Sequence, residues 1–149
     1  MTYFFTYGSL MDLDFVTSLG VQYKSACSGV LMGYEFKINV QDKSNPRFGY
    51  ANIVKNINTS VEGVLMEITQ MEFPLLDSYE GYPQMYSRSK MQIISKNMNK
   101  IHTAWVYTGN LNFIIARNLC LTPFQKKRIN NGFRFLSKEY QINLLRIIK

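Results

Sequence analysis

Segments typical of β-strands follow one another along most of this chain, with little helical sequence between them. Alternating apolar residues or runs of β-branched and aromatic residues mark them at residues 2–6, 23–40, 48–54, 61–68, 85–95 and 101–107. Parallel neighbours would need long crossover connections, whereas short turns can join antiparallel strands. The pattern therefore predicts an α+β fold: a small, mostly antiparallel β-barrel of about six or seven strands with flanking helices.

Glycines and polar clusters predict where these strands bend or reverse. Segment 23–40 fits one or two strands, with bulges or bends at Gly29 and Gly33. Residues 41–47 are expected to form a polar loop. The run Asn-Ile-Asn-Thr-Ser at residues 56–60 has the composition of a turn. Segments 48–54 and 61–68 are therefore expected to pair as a hairpin.

Helical signals follow the first strand, precede residue 81 and fill the last third of the chain. A helix over residues 12–19 is expected after the first strand, with an aspartate cap and a closing glycine. Thr69 and Glu72 have the spacing of a capping box, ahead of a helix over residues 73–81.

Length and composition indicate one globular domain over residues 1–149. A hydrophobic content of 46% argues against disorder. No apolar run approaches the ~18 residues that a membrane span requires, and the first residues do not resemble a signal peptide. Cys27 and Cys120 lie far apart and fit free thiols in a reducing compartment, so a cytoplasmic location is expected.

The net charge of +7 is concentrated towards the C-terminus. The basic residues after Asn118 are Lys126, Lys127, Arg128, Arg134, Lys138, Arg146 and Lys149. Such a cluster is either a solvated helix face or a surface for an anionic partner. No zinc-finger spacing or RNA-recognition motif supports nucleic acid as that partner, so binding of nucleic acid is not expected. No membrane association is expected, because no apolar run is long enough to span a bilayer.

Glu80 is a candidate for proton transfer. It is the last side chain before Gly81, where a helix is expected to end, and Tyr79, Tyr82 and Tyr86 lie close to it in sequence. Aromatic cover can dehydrate a carboxyl group and raise its pKa towards neutrality, as acid–base catalysis requires. The alternative is an ordinary glutamate in solvent at a helix end.

The loop of residues 7–10, Tyr-Gly-Ser-Leu, is a candidate for binding an anion. A strand precedes it and a helix is expected after it, a geometry that exposes backbone N–H groups. The alternative is an ordinary turn in which Gly8 supplies conformational freedom.

Other catalytic chemistries lack the residues they need. His102 is the single histidine, and no serine or cysteine motif accompanies it. The scattered cysteines do not give a zinc-ligand spacing, and no Walker A or dinucleotide motif is present. We therefore expect no metal and no cofactor.

These segments together resemble the gamma-glutamylcyclotransferase family. The family begins with a strand and a Tyr-Gly-Ser-(Asn or Leu) loop, here residues 7–10, and has a Leu-Asp-x-Tyr-Glu-Gly segment, here residues 76–81. A Gly-x-Val-type strand lies between them at residues 61–65, and residues 123–127 and 136–140 fit the family's closing helices. The resemblance covers nearly the whole chain and implies a small β-barrel with a pocket at one end.

The resemblance implies a cofactor-independent lyase or acyltransferase. A small-molecule gamma-glutamyl substrate would cyclise to 5-oxoproline and release an amine or amino acid, as in glutathione metabolism. Glu80 would be the catalytic acid–base. Backbone N–H groups of Gly8, Ser9 and Leu10 would hold the substrate carboxylate, and the pocket would be lined by Tyr7, Tyr86 and Tyr107.

Several points stay open from the sequence. Family members of the glutathione pathway often carry Asn where this chain has Leu10, so the natural leaving amine is not fixed. Alternative functions are a non-catalytic binding module that uses the basic C-terminal face, or a related acyltransferase that removes a gamma-glutamyl group from a specialised amine. A homodimer is compatible with the sequence.

Overall fold

A computed structural model describes residues 1–149 of the chain. The strands are β1 (Thr2–Thr6), β2 (Ser25–Gln41), β3 (Gly49–Ile68), β4 (Tyr86–Ser95) and β5 (Lys100–Gly109). The α-helices are α1 (Leu13–Ser18), α2 (Phe73–Glu80), α3 (Pro123–Asn131) and α4 (Lys138–Ile148). Short 3₁₀ turns lie at Ser9–Met11, Gln70–Glu72, Leu111–Phe113 and Phe133–Phe135.

The strands form a closed barrel in the order β1-β3-β2-β4-β5. Every neighbouring pair is antiparallel except β1 and β5, which close the barrel in parallel through the pair Phe4 and Trp105. The expected mostly antiparallel barrel with flanking helices is therefore confirmed. It has five strands instead of six or seven, because segments 48–54 and 61–68 form one continuous strand, β3, and segment 23–40 forms a single strand, β2.

The expected hairpin turn at residues 56–60 is wrong. Strand β3 runs without reversal from Gly49 to Ile68, and the chain turns instead in the polar loop before it. The turn-forming residues are accommodated as a bulge. Met32 pairs with Ser60 and Tyr34 with Lys55, so residues 56–59 lie opposite Gly33 alone.

Local hydrogen bonds explain why turn chemistry is tolerated inside a strand. The Asn58 N–H donates to Oδ1 of Asn56 at 3.1 Å, and the Thr59 hydroxyl donates to the Tyr34 carbonyl at 2.7 Å. Gly33 has a φ of +81° and marks the bulge that was expected there. Gly29 does not mark one, because it pairs in register with Gly63.

Helix α2 begins at Phe73 and ends at Glu80, close to the predicted bounds. The predicted capping box does not form, because no side chain caps the 3₁₀ turn before the helix. The Glu72 carboxylate instead accepts a 2.9 Å hydrogen bond from the backbone N–H of Gln22. Glu72 thus ties the start of α2 to the segment that leads into β2.

The core fills the barrel and the space beneath the helices. Phe4, Phe5 and Met66 are among the largest fully buried side chains. Helix α3 packs on the segment that follows β1 so closely that a Cβ on Gly132 would lie 2.4 Å from Cβ of Met11. None of the helices has the length and apolar character needed to cross a membrane.

Candidate active site

A cavity of about 400 Å³ opens at one end of the barrel, between the segment that follows β1, the end of α2 and helix α3. All the site residues predicted from the sequence line it: Tyr7, Gly8, Ser9, Leu10, Glu80, Tyr86 and Tyr107. The structure thus brings together segments that are up to 100 residues apart in sequence. The functional roles of these residues stay predictions.

Glu80 is positioned by the helix that it ends. Leu76 lies one turn earlier on the same face and is fully buried, so this face of α2 is held against the barrel. Gly81 ends the helix with a φ of +68°, a left-handed conformation that glycine adopts without strain. The Glu80 side chain is thereby held in the wall of the cavity.

The Glu80 carboxyl is dehydrated and has no hydrogen-bond donor from the protein. Its side chain is only partly accessible to solvent, and no protein hydrogen bond or ion pair involves it. Removal of water disfavours the charged form, and this desolvation raises the pKa of Glu80 to about 8. A carboxyl group with this pKa can both take up and give back a proton near neutral pH.

The tyrosines around the cavity direct their hydroxyl protons into the protein. Tyr7 donates to the carbonyl of Tyr107 at 2.7 Å, and Tyr86 donates to the carbonyl of Ala51 at 2.5 Å. Burial raises the pKa of both phenols well above the usual value, so they remain neutral. Each hydroxyl oxygen keeps a lone pair that can accept a further hydrogen bond, and both residues line the same cavity as Glu80.

Asp77 connects α2 to the barrel wall, a role that sequence reasoning missed. It accepts a 2.5 Å hydrogen bond from the Tyr107 hydroxyl and bonds of 2.9 and 3.2 Å from the Arg88 guanidinium. Burial and Asp77 together raise the pKa of Tyr107. Asp77 lies within the segment that drew attention to Glu80, but its partners lie on β4 and β5 and could not be read from local sequence.

The loop of residues 7–10 presents its backbone to the cavity. No side chain caps its 3₁₀ turn, and none of the hydrogen bonds of the turns and loops uses the N–H of Gly8, Ser9 or Leu10 as donor. The Leu10 side chain is 2% exposed and packs in the core. This position therefore contributes its backbone to the loop, and the side-chain amide of an asparagine has no counterpart here.

The hydroxyls of Ser9 and Tyr79 lie 2.7 Å apart and link the loop to helix α2. Tyr79 lines the cavity beside Glu80, as expected from its position in the sequence. Tyr82 does not: it is 38% exposed and lies 5.0 Å from the Arg88 guanidinium, outside the cavity. The expectation that Tyr82 covers Glu80 is wrong, because the left-handed Gly81 turns the chain away.

The cavity lining also includes residues that had no signal in the sequence, among them Tyr50, Gln125 and Arg128. Tyr50 comes from β3, and the other two come from helix α3. Arg128 belongs to the basic C-terminal cluster, yet it faces the cavity. Only the packing of α3 against the loop after β1 reveals this placement.

Comparison with known families gives one match that spans most of the chain. The family model described as gamma-glutamyl cyclotransferase, AIG2-like, matches residues 4–123. The match includes the loop of residues 7–10, all of β2 to β5 and Glu80. No curated protein matches the chain.

Several solved structures share the fold. A gamma-glutamyl cyclotransferase is 22% identical with a TM-score of 0.80, over 98% of this chain and 87% of that chain. YkqA from Bacillus subtilis is 20% identical with a TM-score of 0.81, over 97% of this chain and 53% of that chain. A gamma-glutamyl cyclotransferase specific to glutathione, from yeast, is 11% identical with a TM-score of 0.66, over 99% and 97% of the two chains. These similarities show a common fold.

Proposed function

We propose that this chain, which belongs to the gamma-glutamyl cyclotransferase, AIG2-like family, cyclises gamma-glutamyl compounds to 5-oxoproline. The α-amino nitrogen of the substrate would attack the γ-carbonyl carbon, forming a new C–N bond. The original amide C–N bond would then break and release an amine or amino acid. Both reacting groups belong to one molecule, so the enzyme chiefly has to fold the substrate into the attack geometry.

The loop of residues 7–10 would hold the α-carboxylate of the glutamyl group. Backbone N–H groups of Gly8, Ser9 and Leu10 can supply donors without moving, because they make no turn or loop hydrogen bonds. The acceptor oxygens of Tyr7 and Tyr86 and the carboxylate of Glu80 would surround the α-ammonium. Donors on one side and acceptors on the other would fix the orientation of the glutamyl head.

Glu80 would carry the proton between the two nitrogens. It would accept a proton from the α-ammonium, which allows attack, and then donate that proton to the leaving nitrogen. The attacking nitrogen loses a second proton when the lactam forms, and the same carboxylate would pass it to the released amine, which leaves as an ammonium. An α-ammonium has a pKa of roughly 7.7 to 8.0. The Glu80 pKa of about 8 is closely matched to it, so the first transfer would have little energetic cost. A carboxyl with an ordinary pKa would be a weak base for the first step and a weak acid for the second.

The observation that carries this proposal is the free, dehydrated carboxyl of Glu80 in a cavity that also contains the loop of residues 7–10. The test is release of 5-oxoproline by the purified protein from a panel of gamma-glutamyl dipeptides and amides. We expect Glu80→Gln to lower kcat by roughly 10²- to 10⁴-fold, the usual contribution of acid–base catalysis.

Glu139→Gln is the matched control, because Glu139 is an exposed acid on α4 that does not line this cavity. It should retain the wild-type rate. Turnover by a folded Glu80→Gln protein at the wild-type rate would refute the role of Glu80. A wild-type protein that releases no 5-oxoproline from any member of the panel would refute the proposed activity.

A further inference from the structure

Arg128 is the only lysine, arginine or histidine in the wall of the cavity, and Glu80 is the only acid. No carboxylate lies within 4.0 Å of the Arg128 guanidinium, so its charge has no partner in the protein. The side chain is partly buried. An unpaired, partly dehydrated guanidinium beside a substrate cavity is suited to binding an anionic group.

The guanidinium is held in place by aromatic side chains. Its Cζ atom lies 3.7 Å from the centre of the Phe15 ring, and that ring packs edge-on against Tyr79 at 5.3 Å. Arg128 also acts on the Tyr79 hydroxyl, where its positive charge opposes the rise in pKa that burial causes. The cation therefore stands beside the residue that immediately precedes Glu80.

Helix α3 is packed against the segment that follows the loop of residues 7–10, and this packing fixes the position of Arg128 relative to the cavity. The Asn131 side chain donates a 2.8 Å hydrogen bond to Asp12, and Gly132 packs directly on Met11. Gln125 lies three residues before Arg128 on α3 and also lines the cavity. Its amide adds a neutral donor beside the guanidinium.

A gamma-glutamyl amino acid carries two carboxylates, and the cavity offers two separate sets of donors. The backbone of residues 7–10 suffices for the carboxylate of the glutamyl head. The second carboxylate belongs to the leaving amino acid and is attached one carbon from the scissile nitrogen. That nitrogen must lie within reach of Glu80. Arg128 lines the same cavity and stacks on Phe15, whose ring packs against Tyr79, the neighbour of Glu80 in sequence.

We propose that Arg128, assisted by Gln125, binds the carboxylate of the leaving group, so that the preferred substrates are gamma-glutamyl α-amino acids and not gamma-glutamyl amines. This inference rests on the proposed function. Arg128 is a specificity-determining residue, and the acid–base steps remain with Glu80. An arginine fork can bind both oxygens of a carboxylate, which an uncharged alkyl leaving group does not have.

The test compares gamma-glutamylalanine with gamma-glutamylethylamide, which differ by one carboxylate. Binding is measured calorimetrically to the Glu80→Gln protein, so that the readout does not depend on turnover. We expect the dipeptide to bind more tightly than the amide. Adding Arg128→Gln should reduce this preference roughly 10- to 100-fold, the typical contribution of a hydrogen bond to a charged group. Adding Arg128→Glu should reverse the preference towards gamma-glutamylethylenediamine.

Lys127→Gln in the same background is the matched control, because Lys127 is an exposed neighbour on α3 that does not line the cavity. The Lys127→Gln variant should still bind gamma-glutamylalanine more tightly than gamma-glutamylethylamide. Equal affinity for the two ligands in the Glu80→Gln protein would overturn the proposal. Equal losses for both ligands on Arg128→Gln would also overturn it, because the guanidinium would then contact the glutamyl head. If the Glu80→Gln protein shows the preference but the wild-type protein releases no 5-oxoproline, the proposed activity alone is refuted.

Discussion

The hydroxyl of Tyr107 donates a 2.5 Å hydrogen bond to Oδ1 of Asp77, three residues before Glu80. Tyr107 belongs to β5 and Asp77 to α2, so this bond joins the helix that carries the proposed acid–base residue to the barrel wall. Arg88 on β4 holds the same carboxylate from a second strand. The position of Glu80 is thus set by a carboxylate that does not itself face the cavity.

Tyr107→Phe should lower both stability and activity. It removes a hydrogen bond to a charged, half-buried carboxylate, which is worth about 1.5 to 3 kcal/mol, so the free energy of unfolding should fall by roughly that amount. Activity should fall less than in Glu80→Gln, because the carboxyl group remains. Urea unfolding and 5-oxoproline release measure the two effects. Tyr34→Phe is the control, since no side-chain hydrogen bond depends on the Tyr34 hydroxyl; equal stability of the two variants would contradict this role for Tyr107.

The pH dependence of kcat/KM should reflect the raised pKa of Glu80. Catalysis requires the carboxylate form, so kcat/KM should rise about tenfold per pH unit below a pKa of about 8. It should level off or decline above that value as the substrate ammonium loses its proton. Initial rates with gamma-glutamylalanine between roughly pH 5.5 and 9 measure this limb. A rate already independent of pH at 6 would show that the pKa is not raised.

The same carboxyl should make the protein less stable as the pH rises. The folded-state pKa of about 8 is above the ordinary value of 4.5, so the folded state binds the extra proton and stability declines as the pH rises from 4.5 to about 8. Glu80→Gln removes this penalty. It should raise the free energy of unfolding by roughly 2 to 4 kcal/mol at pH 8 and by almost nothing at pH 4. Denaturant titrations of both proteins at the two pH values measure the difference, and a gain equal at both would contradict the prediction.

Ser9→Ala should distinguish direct cyclisation from a mechanism with a serine nucleophile. The Ser9 hydroxyl lies 2.7 Å from the Tyr79 hydroxyl, and no base is beside it. We expect kcat to fall less than about tenfold, because the backbone N–H groups of the loop remain. Loss of activity as large as in Glu80→Gln, together with a covalent adduct detected by mass spectrometry, would favour an acyl-enzyme instead.

Local sequence was sufficient to predict the elements that local rules govern. Strand β1, helix α2 with its closing Gly81 and the aspartate cap of α1 follow from side-chain alternation, capping and glycine conformation. The turn predicted at residues 56–60 is wrong because the same residue types occur in turns and in β-bulges. Whether such a run reverses the chain depends on what the opposite strand offers, and here Gly33 allows a bulge.

In the candidate site, too, the residues that could be predicted are those whose environment is set by local sequence. Glu80 and the loop of residues 7–10 stand out because their neighbours in sequence are also their neighbours in space. Asp77 and Arg128 do not, because their partners come from other strands and helices. Tyr82 shows the opposite case. It is close to Glu80 in sequence but not in space, because the left-handed Gly81 between them changes the direction of the chain.

Closure of the barrel has a consequence for synthesis of the protein. The first strand meets the last one in parallel, with Phe4 beside Trp105, so no hairpin can deliver β1 to its final place. A nascent chain leaving the ribosome will have completed β1 and α2 long before β5 emerges. Until then Tyr107 is missing from the wall of the cavity, and Asp77 lacks the hydroxyl that donates to it. Because Arg128 of α3 also lines the cavity, the site is complete only after translation has passed residue 128.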